Sequence, residues 1–190
     1  AEADPFHVLE FVDDGEPPTI EVDRGESNPF VRYRERMGWW AFARANGMSD
    51  GETVGLARSV AGQFSVTPLQ PHDGLNDVIG RSVWAKNETV GVSGSHKSRH
   101  LVGIMLHLIA AEQLGMLTER PPLAISSCGN AALAAATVAS SQEWPLRVFV
   151  PTWMDDAFGS GLDALGAEVN RCERIAGAAG DPAMSAFREA

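Results

Sequence analysis

Cysteine is scarce in this chain: Cys128 and Cys172 are the only two. Two are too few for a disulfide scaffold, and their spacing alone leaves a single bridge open. No apolar run approaches the ~20 residues needed to cross a bilayer. The start, Ala1-Glu2-Ala3-Asp4, lacks the basic and apolar regions of a signal peptide, so a cytoplasmic location is the default. Positive charge is also short, with 15 Lys and Arg against 25 Asp and Glu and a formal net charge of −10. That balance excludes the basic footprint by which a protein holds nucleic acid or an anionic membrane. Internal repeats and low-complexity segments are missing too. What remains is 190 residues, 44% hydrophobic and 21% charged, enough to bury a core in one large or two small domains.

The first thirty residues are acidic and proline-bearing, with strand-like pieces around His7–Val12 and Thr19–Val22. Asn28-Pro29 opens a helical pattern from Val31 to Ala45 that carries Trp39 and Trp40, which read as core or a domain contact. Ser49 and Glu52 have the spacing of a capping box, so a second helix is expected from there to about Gly62. Thr67-Pro68-Leu69 punctuates the chain. Beyond residue 80 the pattern alternates. Strands are expected at Ser82–Ala85, Leu123–Ser126, Leu146–Val150 and Ala167–Val169. Helices are expected at Ser95–Gln113, Asn130–Ser140, Asp155–Leu165 and from Asp181 onward. Apolar strands alternating with helices predict an α/β fold, with a parallel sheet covered on both faces.

Two segments could carry chemistry. The first runs from Lys86-Asn87-Glu88 through Gly91-Val92-Ser93-Gly94-Ser95-His96-Lys97-Ser98-Arg99-His100: a strand end, a glycine-and-serine turn, then a helix start. A lysine in that first turn sits beside the positive end of the helix dipole, which favours the neutral amine a Schiff base needs. On spacing alone Lys97 reads equally well as a solvent-exposed lysine on a capped helix. A nucleotide phosphate loop is excluded, because the required Gly-Lys-Ser/Thr is missing. The second segment, Ser126-Ser127-Cys128-Gly129-Asn130, is another strand-to-helix turn. Its backbone N–H groups could converge on a carboxylate, although such turns are more often purely structural. His96 and His100 lie four apart, as in a helical metal pair, but no glutamate accompanies them as in zinc proteases. Gly159-Ser160-Gly161 with Gly166 lacks the spacing of a dinucleotide fingerprint.

The stretch Ser93–His100 resembles the lysine motif of fold-type II pyridoxal-phosphate enzymes, Thr-Gly-Ser-Phe-Lys-(Asp/Ile)-Arg-Gly. Lys86-Asn87-Glu88 resembles the Lys-x-Glu that precedes it. His96 stands where many members have Phe, although tryptophan synthase β also has His there. His100 replaces a small residue. Ser126–Asn130 resembles the family's Ser-Ser-Gly-Asn loop, with Cys128 where Ser or Thr is frequent. Asn28-Pro29, Arg32–Arg34, Val66–Leu69, Leu146–Pro151 and Leu165–Val169 extend the likeness over most of the chain from about residue 28.

The resemblance implies a two-domain α/β fold in which residues 1–80 form a leader and helices of the larger domain. Residues 81–190 would form the cofactor-binding region with the small domain, and the enzyme's second half would lie outside these residues. It implies pyridoxal 5′-phosphate on Lys97, Asn130 against the ring 3′-oxygen, and His96 near the phosphate. Ser127, Cys128 and Gly129 would hold a substrate carboxylate. The implied reaction is lyase or synthase chemistry on a small amino acid: Cα deprotonation, then β-elimination or replacement, in a homodimer. A non-catalytic α/β domain that binds a partner or regulatory ligand is the alternative. Substrate choice is not legible from motifs that several such enzymes share.

Overall fold

The computed structural model describes residues 25–189 except 175, 178 and 179; the strand-like pieces at 7–12 and 19–22 lie outside the described residues. The chain enters through α1 (Pro29–Arg32), capped by the buried Asn28, whose side chain accepts from the Phe30 N–H at 2.8 Å and donates to the Ala61 carbonyl at 2.8 Å. A 3-10 turn (Arg34–Arg36) and α2 (Gly38–Ala45) follow. The single helix expected from Val31 to Ala45 is therefore broken, at an extended Met37. The reason lies in two anchors. Phe30 and Trp39 are both 4% exposed in the same core, yet nine residues on one helix would set them about 180° apart. Only a break lets both face inward. The next helix, α3 (Asp50–Ala61), begins with the expected capping box: Ser49 Oγ accepts from the Glu52 N–H and the Glu52 carboxylate accepts from the Ser49 N–H.

Residues 69–86 depart most from expectation. They form β1 (Leu69–Pro71), α4 (Asp73–Ile79) and β2 (Trp84–Lys86). β2 pairs antiparallel with β1, Leu69 opposite Lys86, and stands apart from the parallel sheet to which its sequence position assigned it. The chain turns back because Gly80 closes α4 in the left-handed region (φ 69°) and the Asn76 side chain accepts from the Val83 N–H at 2.6 Å. α4 buries no residue, so it leaves no apolar period in the sequence. Leu69, Val78, Ile79 and Trp84 are all more than half exposed on this unit.

The remainder alternates as expected: α5 (Lys97–Gln113), β3 (Leu123–Ser126), α6 (Asn130–Ser141), β4 (Leu146–Pro151), α7 (Asp156–Ala164), β5 (Glu168–Cys172) and α8 (Pro182–Glu189). The sheet is parallel, ordered β3-β4-β5, with Ile125 opposite Val148 and Val148 opposite Val169. Alternation along the central strand fixes its two faces. Val148 and Val150, both 0% exposed, join the core with Ala132, Ala135 and Ala136 of α6. Phe149 points the other way and meets Phe187 of α8 edge-to-face at 6.1 Å. α5 is the hub of the core. It packs on α2, α3 and α6, with Val102, Met105 and Leu106 almost wholly buried.

Candidate active site

α5 and α6 start from the two motif segments and run in the same direction. Their C-terminal ends are joined by Arg120, which donates to Glu112 in the last turn of α5 at 2.7 and 2.8 Å and to the Gln142 carbonyl that ends α6 at 2.7 Å. The helices pack along their length, and the 3-10 turn Val92–Gly94 just before α5 also packs on α6. At 1.5 Å per residue they are about 25 and 18 Å long. Lys97, the first residue of α5, and Asn130, the first of α6, consequently lie at the same end of this helical layer.

Both helix starts lack a side-chain cap, unlike α1, α3, α4 and α7. The Lys97 N–H reaches only Ser95 Oγ, at 3.4 Å, and the Gly129 N–H only Ser127 Oγ, at 3.4 Å. Free first-turn amides and the positive dipole end leave both starts open to a negative group. A Cβ built on Gly129 would meet nothing within 4 Å, so the space before the α6 start is open. Lys97, His96, Cys128 and Asn130 are exposed, Ser127 and Gly129 half-buried, and Cys128 is a free thiol.

The turn ahead of Lys97 is held rigidly. Ser98 Oγ, buried, donates to the Val92 carbonyl at 2.6 Å and lies 3.3 Å from that of Ser95. Ser93 sits at φ 60°, where a non-glycine residue is strained, and its buried hydroxyl has no partner among the described residues. On the far side of the helix start, Glu88 accepts from Thr67 Oγ1 at 2.6 Å and from Arg99 Nε at 2.8 Å. Arg99 also donates to Thr67 Oγ1 at 3.1 Å and the Ser65 carbonyl at 3.2 Å. Burial pushes the Glu88 carboxyl up, but the hydrogen bonds from Thr67 and Arg99 and the charges of Arg99 and Lys86 together hold it below its ordinary value. A small, shallow cleft lies here, lined by Ser65, Glu88, Val92, Ser95 and Arg99 among others; Lys97, His96 and the 127–130 loop do not line it.

The chain holds only two lysines. Lys86 is committed: its Nζ donates to the Thr67 carbonyl and lies 3.9 Å from Glu88. Lys97 has no hydrogen bond or ion pair from its amine among the described residues. That distinction was not drawn from the motif spacing, although the lysine count was there to be read.

The profile of the family described as pyridoxal-phosphate dependent enzyme matches residues 60–189. The chain belongs to that family. No curated protein matches it by sequence. Solved structures similar in fold include a pyridoxal 5′-phosphate-dependent aspartate racemase (TM-score 0.55, 19% identity, 75% of this chain and 42% of that one). A hydrogen sulfide-producing enzyme from Fusobacterium nucleatum is similar too (0.54, 21%, 70% and 41%), as is maize serine racemase (0.52, 15%, 73% and 40%). The chain spans about two fifths of the length of these structures.

The residues present fit the family's cofactor in one respect: among the described residues the Lys97 amine is uncommitted and available for its aldehyde. The loop before α6, with free amides and open space, suits the carboxylate of a substrate.

Proposed function

We propose that this chain supplies the lysine-bearing part of a pyridoxal-phosphate enzyme that removes the Cα proton of a small amino acid. The observation that carries the reading is the division of labour between the two lysines: Lys86 is tied to Thr67 and Glu88, while the Lys97 amine, at the uncapped start of α5, has no partner among the described residues. Lys97 would hold the cofactor through its amine. Asn130 would orient the ring, His96 would lie toward the phosphate, and Ser127, Cys128 and Gly129 with the first amides of α6 would fix the substrate carboxylate.

When bound, pyridoxal phosphate supplies a sink for the electron pair left at Cα. Lys97, with its amine free, would accept the Cα proton on Nζ. A group on Cβ then departs with its bonding electrons, giving the elimination or replacement chemistry of a lyase or synthase. Delivery of a proton to the opposite face of Cα by a second acid there would give racemisation, a second reading favoured by the two racemases among the similar structures. The reading takes the assembly as a cytoplasmic homodimer, which sedimentation and cell fractionation check.

The test uses the full-length protein. After incubation with pyridoxal phosphate, borohydride reduction should fix the label on the peptide containing Lys97, with an absorbance band near the visible edge that shifts on adding serine or threonine. Lys97→Ala should abolish both. Labelling confined to Lys86, or a band that persists in Lys97→Ala, refutes the assignment and favours a non-catalytic domain. Chiral analysis of the product separates elimination from racemisation.

A further inference from the structure

We infer that Glu88 is a positioning residue: with Arg99 and Thr67 it forms a brace that fixes the first turn of α5 and so the place from which Lys97 acts. The inference deepens the reading of Lys97 given above and rests on it. The brace joins three separate pieces of chain. Thr67 and Ser65 come from the segment before β1, Glu88 from the end of β2, and Arg99 from the first turn of α5.

The geometry suits a clamp. Residues two apart on a helix point about 200° apart, so Arg99 grips the turn from the side opposite Lys97. Ser98, between them, is 1% exposed and ties the same turn to the Val92 carbonyl. The start of α5 has no side-chain cap to hold it, so these bonds substitute for one. Glu88 also answers the charges of both neighbouring cations, Lys86 and Arg99. Lys97 has no counter-charge among the described residues. Glu88→Gln keeps the shape but removes the charge that answers Arg99 and Lys86; with its amide oxygen toward Arg99, its NH₂ can only donate to Thr67 Oγ1, which reverses that bond and weakens the brace.

The experiment compares full-length wild type, Glu88→Gln and Glu88→Asp with two readouts. The first is amide hydrogen exchange without cofactor. In Glu88→Gln, exchange across residues 92–99 should rise about tenfold while residues 105–111, in the buried part of α5, stay as in wild type. The second is borohydride trapping of pyridoxal phosphate, scored as the ratio of label on Lys97 to label on Lys86. That ratio should fall about fivefold in Glu88→Gln and recover most of the loss in Glu88→Asp, which keeps the charge.

Unchanged exchange over 92–99 overturns the brace. Raised exchange with an unchanged trapping ratio overturns the positioning role and leaves Glu88 a structural residue. If wild type itself takes no label on Lys97, the cofactor assignment has failed, and the exchange readout alone decides the brace.

Discussion

Arg120 joins the far ends of the two helices that present Lys97 and Asn130, and Arg120→Met should loosen that join by a calculable amount. The guanidinium makes two charge-assisted bonds to Glu112 and one to the Gln142 carbonyl, and lies 5.0 Å from the Trp144 ring centre. With side chains 34% and 30% exposed, the ion pair is discounted from its buried value to about 1 kcal/mol. Losing the donor to Gln142 adds about 1 kcal/mol, and the stacking on Trp144 about 0.5. The expected total is about 2–3 kcal/mol at pH 7, with methionine keeping the apolar stem in place. The hydrogen bond from Arg120 holds the Glu112 carboxyl below its ordinary value against the opposing effect of burial. A depressed folded-state value means stabilisation that is complete above the unfolded carboxyl's titration, at about 4.3, and lost as pH falls through the folded one. Urea unfolding of both proteins followed by tryptophan fluorescence should therefore show the difference shrinking by about 1 kcal/mol between pH 7 and pH 3. A difference that is the same at both pH values, or below about 0.5 kcal/mol at pH 7, would refute the reasoning.

Leu106 is 0% exposed at the centre of α5; Leu106→Ala should cost about 2–5 kcal/mol in chemical denaturation, more than any change at the helix start. Gly129 has an extended backbone and open space where a Cβ would stand. Gly129→Ala should therefore leave stability within about 0.5 kcal/mol of wild type while raising KM for the proposed amino-acid substrate; an unchanged KM in a folded variant removes the loop from carboxylate binding.

How much of this was legible varies by segment, for physical reasons. β3 and α6 match their expected positions almost residue for residue, because a short apolar run bounded by small residues has one plausible reading. The break between α1 and α2 was hidden, since a helical period cannot reveal that Phe30 and Trp39 must share one core. α4 was hidden for the opposite reason: with nothing buried, it has no period to show. At the site, the motifs marked Lys97, His96, Ser127, Cys128, Gly129 and Asn130. Their convergence on one cofactor was expected from the resemblance and from both following strands of one sheet; β2 lies outside that sheet, so their shared end rests instead on the packing of α5 on α6 and the clamp at Arg120. Glu88 was legible as a motif letter and Arg99 as another. Their pairing through Thr67 depends on folded distances that no spacing encodes.

The β1–α4–β2 unit has a dynamic consequence. Two paired strands of three residues, with large apolar side chains turned to solvent, hold little free energy of their own. Residues 69–84 should be the first stretch to open and close while α5 stays shut, fluctuating well below the threshold of global unfolding. The bond from Lys86 to the Thr67 carbonyl crosses the base of that unit. With that bond in place the opening should stay within the ribbon and leave the turn that carries Lys97 slow to exchange its amide hydrogens.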